Sequence, residues 1–178
     1  MTFSTERPER SVGLYLHVPF CTRVCPYCDF AVVAARPLDE AREDRYVDAL
    51  LHEFEMRAPD YEGHGLASIY LGGGTPSLMR PASIERLLAA ARSRFAERPG
   101  AGGEIEVTLE VNPSSVERAR LPAFRRAGVN RLSVGIQSFD DTSLRRLGRA
   151  HKAVEGRRTL TACREAGFTN LSLDLLFA

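Results

Sequence analysis

The chain has 178 residues, 44% of them hydrophobic, which suffices for one domain with a proper core. Its 24 Lys and Arg against 23 Asp and Glu leave a formal charge of +1, so no strong field for nucleic acid or an anionic membrane exists. No apolar run approaches the roughly 18–20 residues that cross a bilayer, and the polar start MTFSTERPERS has no apolar signal core; with reduced Cys, the expected compartment is the cytoplasm.

Taken in chain order, short apolar runs alternate with helical periods. Residues 1–12 read as a polar N-terminal segment, and Gly13–Val18 (GLYLHV) as a first strand. Tyr46, Val47, Leu50, Leu51 and Phe54 fall on one 3.6-period helix face. Ala67–Leu71 is the next strand, closed by Gly72-Gly73-Gly74-Thr75-Pro76. Pro81 opens a helix in which Ile84, Leu87, Leu88, Ala91 and Phe95 share a face. Pro99–Gly103 reads as loop, and Glu104–Val111 as a third strand halted by Asn112-Pro113. A helix through Phe124 stops at Gly128, where a left-handed cap is expected. Arg131–Ile136 is a fourth strand, Asp140–Ala166 is helical up to Gly167, and Leu171–Phe177 is a fifth strand.

Strands separated by helices favour a parallel α/β sheet with right-handed crossovers. An internal echo supports this: Ala127-Gly128-Val129-Asn130-Arg131-Leu132-Ser133 and Ala166-Gly167-Phe168-Thr169-Asn170-Leu171-Ser172 repeat Ala, Gly, Leu and Ser in register. A partial (β/α) barrel of about five units is the expected fold, with an open Rossmann-like sheet as the alternative.

Cys21, Cys25 and Cys28 form C-x3-C-x2-C directly after the first strand. Three thiolates on one short loop can hold three corners of an iron–sulfur cube, a corner short of the four-Cys ligation of ferredoxins. The fourth iron is then open to a small molecule. Zinc is the competing reading, with His17 in reach by sequence, although structural zinc wants four Cys or His ligands. Inert thiols are a third. Cys163 sits in a helical pattern and reads as a small core residue.

The other unusual residues fall at strand ends: Gly72–Thr75 after the second strand, Glu110 late in the third, Gln137 closing the fourth, Asp174 late in the fifth. Parallel barrels place their chemistry at that rim. Plainer readings remain beside this one. The glycines are also a tight turn, though not a P-loop, since G-x4-GK[ST] is absent. Glu110 is also an edge charge, Arg149 a solvated Arg, and Tyr15 and Tyr27 are core or rim aromatics. Gln137 and Asp174, flanked by apolar residues, are costly to bury unpaired, which favours binding. His52, His64 and His151 show no partner pattern and read as surface residues.

Together the blocks HVPFCTRVCPYCDF, SIYLGGGTPS, LEVNPSS, GVNRLSVGIQSF, LRRLGRAHKA and LSLDLLF resemble the radical S-adenosylmethionine (SAM) superfamily, in its coproporphyrinogen III dehydrogenase-like (HemN/HemW) branch. The resemblance implies that Cys21, Cys25 and Cys28 ligate a [4Fe–4S] cluster whose open iron chelates SAM. It implies further that Tyr15 and Tyr27 flank the pair and that Gly73, Gly74 and Thr75 meet the methionine moiety. Glu110, Gln137, Arg149 and Asp174 would hold polar parts of SAM, Arg149 at a carboxylate and Asp174 at the ribose.

Within the branch, the oxidative dehydrogenases carry another Cys two positions after the third, where this chain has Phe30, and a long N-terminal extension, whereas 20 residues precede Cys21 here. Both differences resemble the HemW-type haem chaperones, implying haem, a haem-acceptor protein and an electron donor as partners. A radical SAM oxidoreductase acting on coproporphyrinogen III, a radical methyltransferase and a simple Fe–S electron-transfer domain are the alternatives. Family members continue through a sixth strand and a C-terminal domain, so the resemblance implies that residues 13–178 are an incomplete, C-terminally truncated core.

Overall fold

The computed structural model describes residues 10–35, 37–98 and 103–177. Residues 1–9 of the polar N-terminal segment and 99–102 of the expected loop lie outside the described residues. Strand β1 (Ser11–Val18) leads into a parallel pair of two-residue strands, β2 (Phe20–Cys21) and β3 (Val33–Ala34). Helix α1 (Glu40–Arg57), β4 (Gly65–Gly73), α2 (Pro81–Arg94), β5 (Glu106–Val111), α3 (Ser115–Arg126) and β6 (Arg131–Gln137) follow. Helices α4 (Asp141–Arg146) and α5 (Ala153–Glu165) then precede β7 (Asn170–Leu175).

The main sheet runs β1-β4-β5-β6-β7, every pair parallel. Each strand is added beside the last with no reversal in the direction of winding. A Rossmann-like sheet reverses its order at a switch point, so the part-barrel reading holds and the alternative fails.

Strand alternation sorts the side chains. Leu16, Leu71, Leu109, Leu132 and Leu171 occupy one register row across all five strands. They pack, with Val18, Ile69 and Val134, into a core completed by Val47, Ile84, Leu88, Leu121 and Phe124 from the helices. Each fully buried Leu contributes about 1.5–3 kcal/mol. The neighbouring row belongs to the other face: Tyr15, Tyr70, Thr108, Arg131 and Asn170. Thus the register that buries leucines on one side leaves a polar concave face on the other.

The repeated Ala-Gly segments build the same helix end twice. Val129 N–H donates to Phe124 O at 3.1 Å, and Phe168 N–H to Cys163 O at 3.0 Å, around Gly128 (φ 106°) and Gly167 (φ 87°). Ser133 and Ser172, matched in the repeat, share a hydrogen bond of 2.9 Å. Cys163 is fully buried, as its helical setting implied, and burial pushes its thiol up to about 11.

One expected helix is two. Asp140–Ala166 breaks between Arg146 and Ala153. The Asp140 carboxylate caps α4, Gly148 turns the chain at φ 66°, and the Asp141 carboxylate accepts from Ala153 N–H at 2.7 Å to start α5. The break carries Arg149 inward. Strand β7 also stops at Leu175, two residues short of Phe177, which is almost wholly exposed.

Candidate functional site

The Cys loop is held at both ends by backbone. Val33 N–H donates to Pro19 O and Ala35 N–H to Cys21 O, both at 2.8 Å, so β2 and β3 close the loop like a cuff. Inside it, Cys28 N–H turns back to Cys25 O at 3.0 Å. The turn after β4 docks on the same segment: Gly74 N–H donates to Val18 O at 2.7 Å and Thr75 N–H to Phe20 O at 2.8 Å. Glycine is required there by space, since a Cβ on Gly74 would lie 2.7 Å from Phe20 O and 2.9 Å from Pro19 O.

Above these turns opens a cavity of about 740 Å³. Its lining includes Cys21, Cys25 and Cys28 together with Tyr27, Gly73, Gly74, Thr75, Glu110, Gln137, Arg149 and Asp174. Every residue to which the resemblance gives a cofactor role therefore lines this cavity except Tyr15. Tyr15 lies on the concave face outside the cavity, stacked on Tyr70 at 6.1 Å and hydrogen-bonded to His17 Nδ1 at 3.0 Å.

His17 is fully engaged. Its Nε2 faces Ala31 O at 2.8 Å; a carbonyl only accepts, so Nε2 carries the proton and Nδ1 accepts from Tyr15. No lone pair remains for a metal, which removes the fourth ligand of the zinc reading. Among the described residues, no three His, Cys, Asp or Glu groups converge as a single metal ion requires. In a four-iron cube each thiolate instead meets its own iron.

Arg149 reaches across the cavity floor. Its Nη2 donates to Gly135 O at 2.8 Å and to Asn112 Oδ1; its Nη1 lies 3.7 Å from Cys25 Sγ and 3.5 Å from Tyr27 Oη. Its Nε is buried without a partner. The solvated-charge reading of Arg149 is thus overturned. Thr75 Oγ1 donates to Cys21 Sγ at 3.6 Å. Burial pushes the Cys21 thiol up, opposed by the Thr75 hydroxyl; the two neighbouring Cys raise it further and Arg149 lowers it.

Glu110 braces the glycine turn: it accepts from Tyr70 Oη at 2.8 Å and from Gly73 N–H at 3.1 Å. Burial raises its carboxyl above the ordinary range against the pull of those two donors. Gln137 ends β6 with φ 63°, the one positive φ outside glycine among the described residues. Asp174 is exposed and accepts from Ser133 Oγ at 3.0 Å, so the burial argument made for it does not apply. His151 also departs from its surface reading: it is buried, with Nε2 at 3.1 Å from Ile136 O, and burial and then Arg149 depress its pKa.

A family model for the radical SAM superfamily matches residues 15–177. The chain belongs to that superfamily. It is 38% identical over 165 residues to the heme chaperone HemW of Escherichia coli, covering 93% of this chain and 42% of that protein. It is 35% identical to the oxygen-independent coproporphyrinogen III oxidase of the same organism, over 96% of this chain and 36% of that one. The solved structure of E. coli coproporphyrinogen III oxidase (HemN), described as a radical SAM enzyme, superposes with TM-score 0.82 at 34% identity, over 97% of this chain and 38% of its own. The cobalamin-dependent radical enzyme OxsB shares the fold alone, with TM-score 0.55 at 15% identity over 92% of this chain and 24% of its own. The chain thus spans about two fifths of the length of these curated relatives.

Radical SAM membership implies a [4Fe–4S] cluster and SAM. The donor set fits that pair. Three thiols line one cavity, the glycine turn exposes backbone beside them, and the buried Arg149 Nε awaits an acceptor.

Two contributors to the site lie inside the blocks that carry the resemblance but have no role of their own in the sequence reading. Asn112 reads only as a strand terminator, and Gly135 as one more residue of a buried strand. Yet a Cβ on Gly135 would lie 2.9 Å from Asn112 Oδ1 and 3.3 Å from Arg149 Nη2. Only the break between α4 and α5, invisible in the helical period, brings Arg149 to both.

Proposed function

We propose that Cys21, Cys25 and Cys28 each ligate one iron of a [4Fe–4S] cluster, with SAM on the fourth, in a haem-trafficking protein of the HemW type. The observation that carries the first part is that three thiols, the Gly73–Thr75 turn and Arg149 line one cavity. The HemW part rests on 38% identity to the E. coli heme chaperone and on Phe30 standing where a further Cys would be.

The cofactor pair supplies one-electron reductive chemistry at the SAM sulfonium. The chain's part is to bind and orient. Arg149, with an unpartnered Nε, presents positive charge for the SAM carboxylate. Gly73, Gly74 and the Thr75 hydroxyl offer backbone and one hydroxyl to the methionine moiety, and Asp174 a carboxylate to the ribose. Glu110 keeps the glycine turn in place through Gly73 N–H, Gln137 lines the strand ends, and Tyr27 covers the cluster side. Tyr15 acts from outside, supporting Tyr70.

Haem, a haem acceptor and an electron donor are the partners this reading calls for, in the reducing cytoplasm where free thiols persist. Among the described residues no helix is long and apolar enough to cross a membrane. Similarity to HemN at TM-score 0.82 favours the second reading, oxidative decarboxylation of coproporphyrinogen III. Titrating the reconstituted protein with haemin, and assaying 5′-deoxyadenosine with and without coproporphyrinogen III, separates them. Haem binding without substrate-dependent 5′-deoxyadenosine supports trafficking; substrate-dependent release supports the enzyme.

A further inference from the structure

Asn112 touches two of the side chains that approach the Cys sulfurs. Its Oδ1 accepts from Arg149 Nη2, and its Nδ2 donates to Thr75 Oγ1 at 3.1 Å. Thr75 Oγ1 in turn donates to Cys21 Sγ at 3.6 Å, while Arg149 Nη1 lies 3.7 Å from Cys25 Sγ. The direction of this chain is forced. A guanidinium only donates, so the carboxamide must turn its oxygen to Arg149 and its nitrogen to Thr75. Thr75 then receives a hydrogen from Asn112 and has its own hydroxyl hydrogen to spend on Cys21.

The backbone that carries this carboxamide is itself fixed from behind. Asn112 N–H donates to Glu117 Oε2 at 2.7 Å, and Glu117 also accepts from Ser77 Oγ and from Ser114 Oγ, the latter at 3.2 Å. Glu117 is buried, and Ser114 caps α3 by accepting from Glu117 N–H at 3.1 Å, so the start of α3 is anchored beside the end of β5. On the other side Gly135 leaves the space in which Asn112 and Arg149 meet.

We propose that Asn112 is a positioning residue: it polarises the hydrogen-bond chain from Arg149 through Thr75 so that a hydroxyl hydrogen ends on the Cys21 sulfur. This rests on the cluster reading above. A hydrogen bond donated to a ligating sulfur stabilises the extra charge of the reduced cluster and raises its potential. An Asn112→Asp substitution keeps size and shape but offers only acceptors. Thr75 would then donate to the carboxylate, and Cys21 would lose its hydrogen bond.

The test is a double-mutant cycle on the midpoint potential of the reconstituted cluster, with the 178-residue chain carrying Asn112→Asp, Thr75→Val or both. Iron content and thermal midpoint are measured on each protein. Asn112→Asp lowers the potential through its charge as well, so its single shift decides nothing. The decisive comparison is Thr75→Val in the two backgrounds. It lowers the potential when Asn112 is present and leaves it unchanged beside Asn112→Asp, where no hydrogen bond to Cys21 is left to remove. Thr75→Ser, which keeps the hydroxyl, retains the wild-type potential; Thr75→Ala, which removes it, takes the place of Thr75→Val in both backgrounds if that variant folds poorly. Equal Thr75→Val shifts in both backgrounds, or none in either, would overturn the assignment alone. Failure of the wild-type chain to take up a cluster would overturn the cofactor reading and this assignment together.

Discussion

Replacing Gly74 by Ala places a methyl group 2.7 Å from Phe20 O, 2.9 Å from the Pro19 carbonyl carbon and 2.9 Å from its oxygen. All three are backbone atoms of the segment that enters the Cys loop, so no side chain can rotate away. Two backbone hydrogen bonds join the same surfaces, Gly74 N–H to Val18 O at 2.7 Å and Thr75 N–H to Phe20 O at 2.8 Å. Overpacking costs about 1–3 kcal/mol, and each strained bond about 0.5–1.5 kcal/mol, giving roughly 2–6 kcal/mol. Because the displaced backbone carries Cys21, iron uptake falls with stability. Gly167→Ala is the control: nothing lies within 4 Å of its Cβ, so it suffers only the left-handed φ of 87°, about 1–2 kcal/mol, far from the loop. Urea unfolding and iron content on both variants read the difference. Gly74→Ala with wild-type stability and full iron content would refute the reasoning.

Three further outcomes follow from the geometry. Gly135→Ala separates Asn112 from Arg149 and weakens SAM binding by about tenfold, the loss of one charge-assisted hydrogen bond, measured by equilibrium dialysis. In metal-free protein at mildly alkaline pH, iodoacetamide labels the partly exposed Cys25 and Cys28 first, while Cys163, buried and pushed up to about 11, stays unlabelled in mass spectra; early labelling of Cys163 would contradict its core placement. Glu110, raised by burial, binds its proton more tightly folded than unfolded, so its contribution to stability is complete at acid pH and is lost as pH rises from the ordinary Glu value through the raised one. Wild type therefore loses stability relative to Glu110→Gln across that rise in urea titrations, and parallel curves would count against a desolvated carboxylate at this half-buried position.

Much of this was legible because period and position say the same thing. The apolar runs that mark strands also set the register that rows Leu16 to Leu171, and the repeated Ala-Gly segments make the same helix end twice. The three Cys and the glycine turn stand out because few roles other than ligation or close backbone approach need such residues at such spacing. What was hidden depends on contacts remote in sequence. The cuff of β2 and β3 is two residues per strand, too short for any periodicity. The break at Arg146–Ala153 lies inside a continuous helical pattern and is made by Gly148, which turns the chain, and by Asp141, which accepts from Ala153 N–H at the start of α5. His151 looked like a surface residue because its partner, Ile136 O, is a backbone atom on another element.

The central claim is an iron left open for SAM. Anaerobic reconstitution with iron and sulfide, reduction, and EPR spectra with and without SAM test it directly. With three-Cys ligation, a [4Fe–4S]⁺ signal is expected whose shape changes when SAM is added and which is unaltered by Cys163→Ala. A cluster indifferent to SAM, or one that disappears with Cys163, would contradict it.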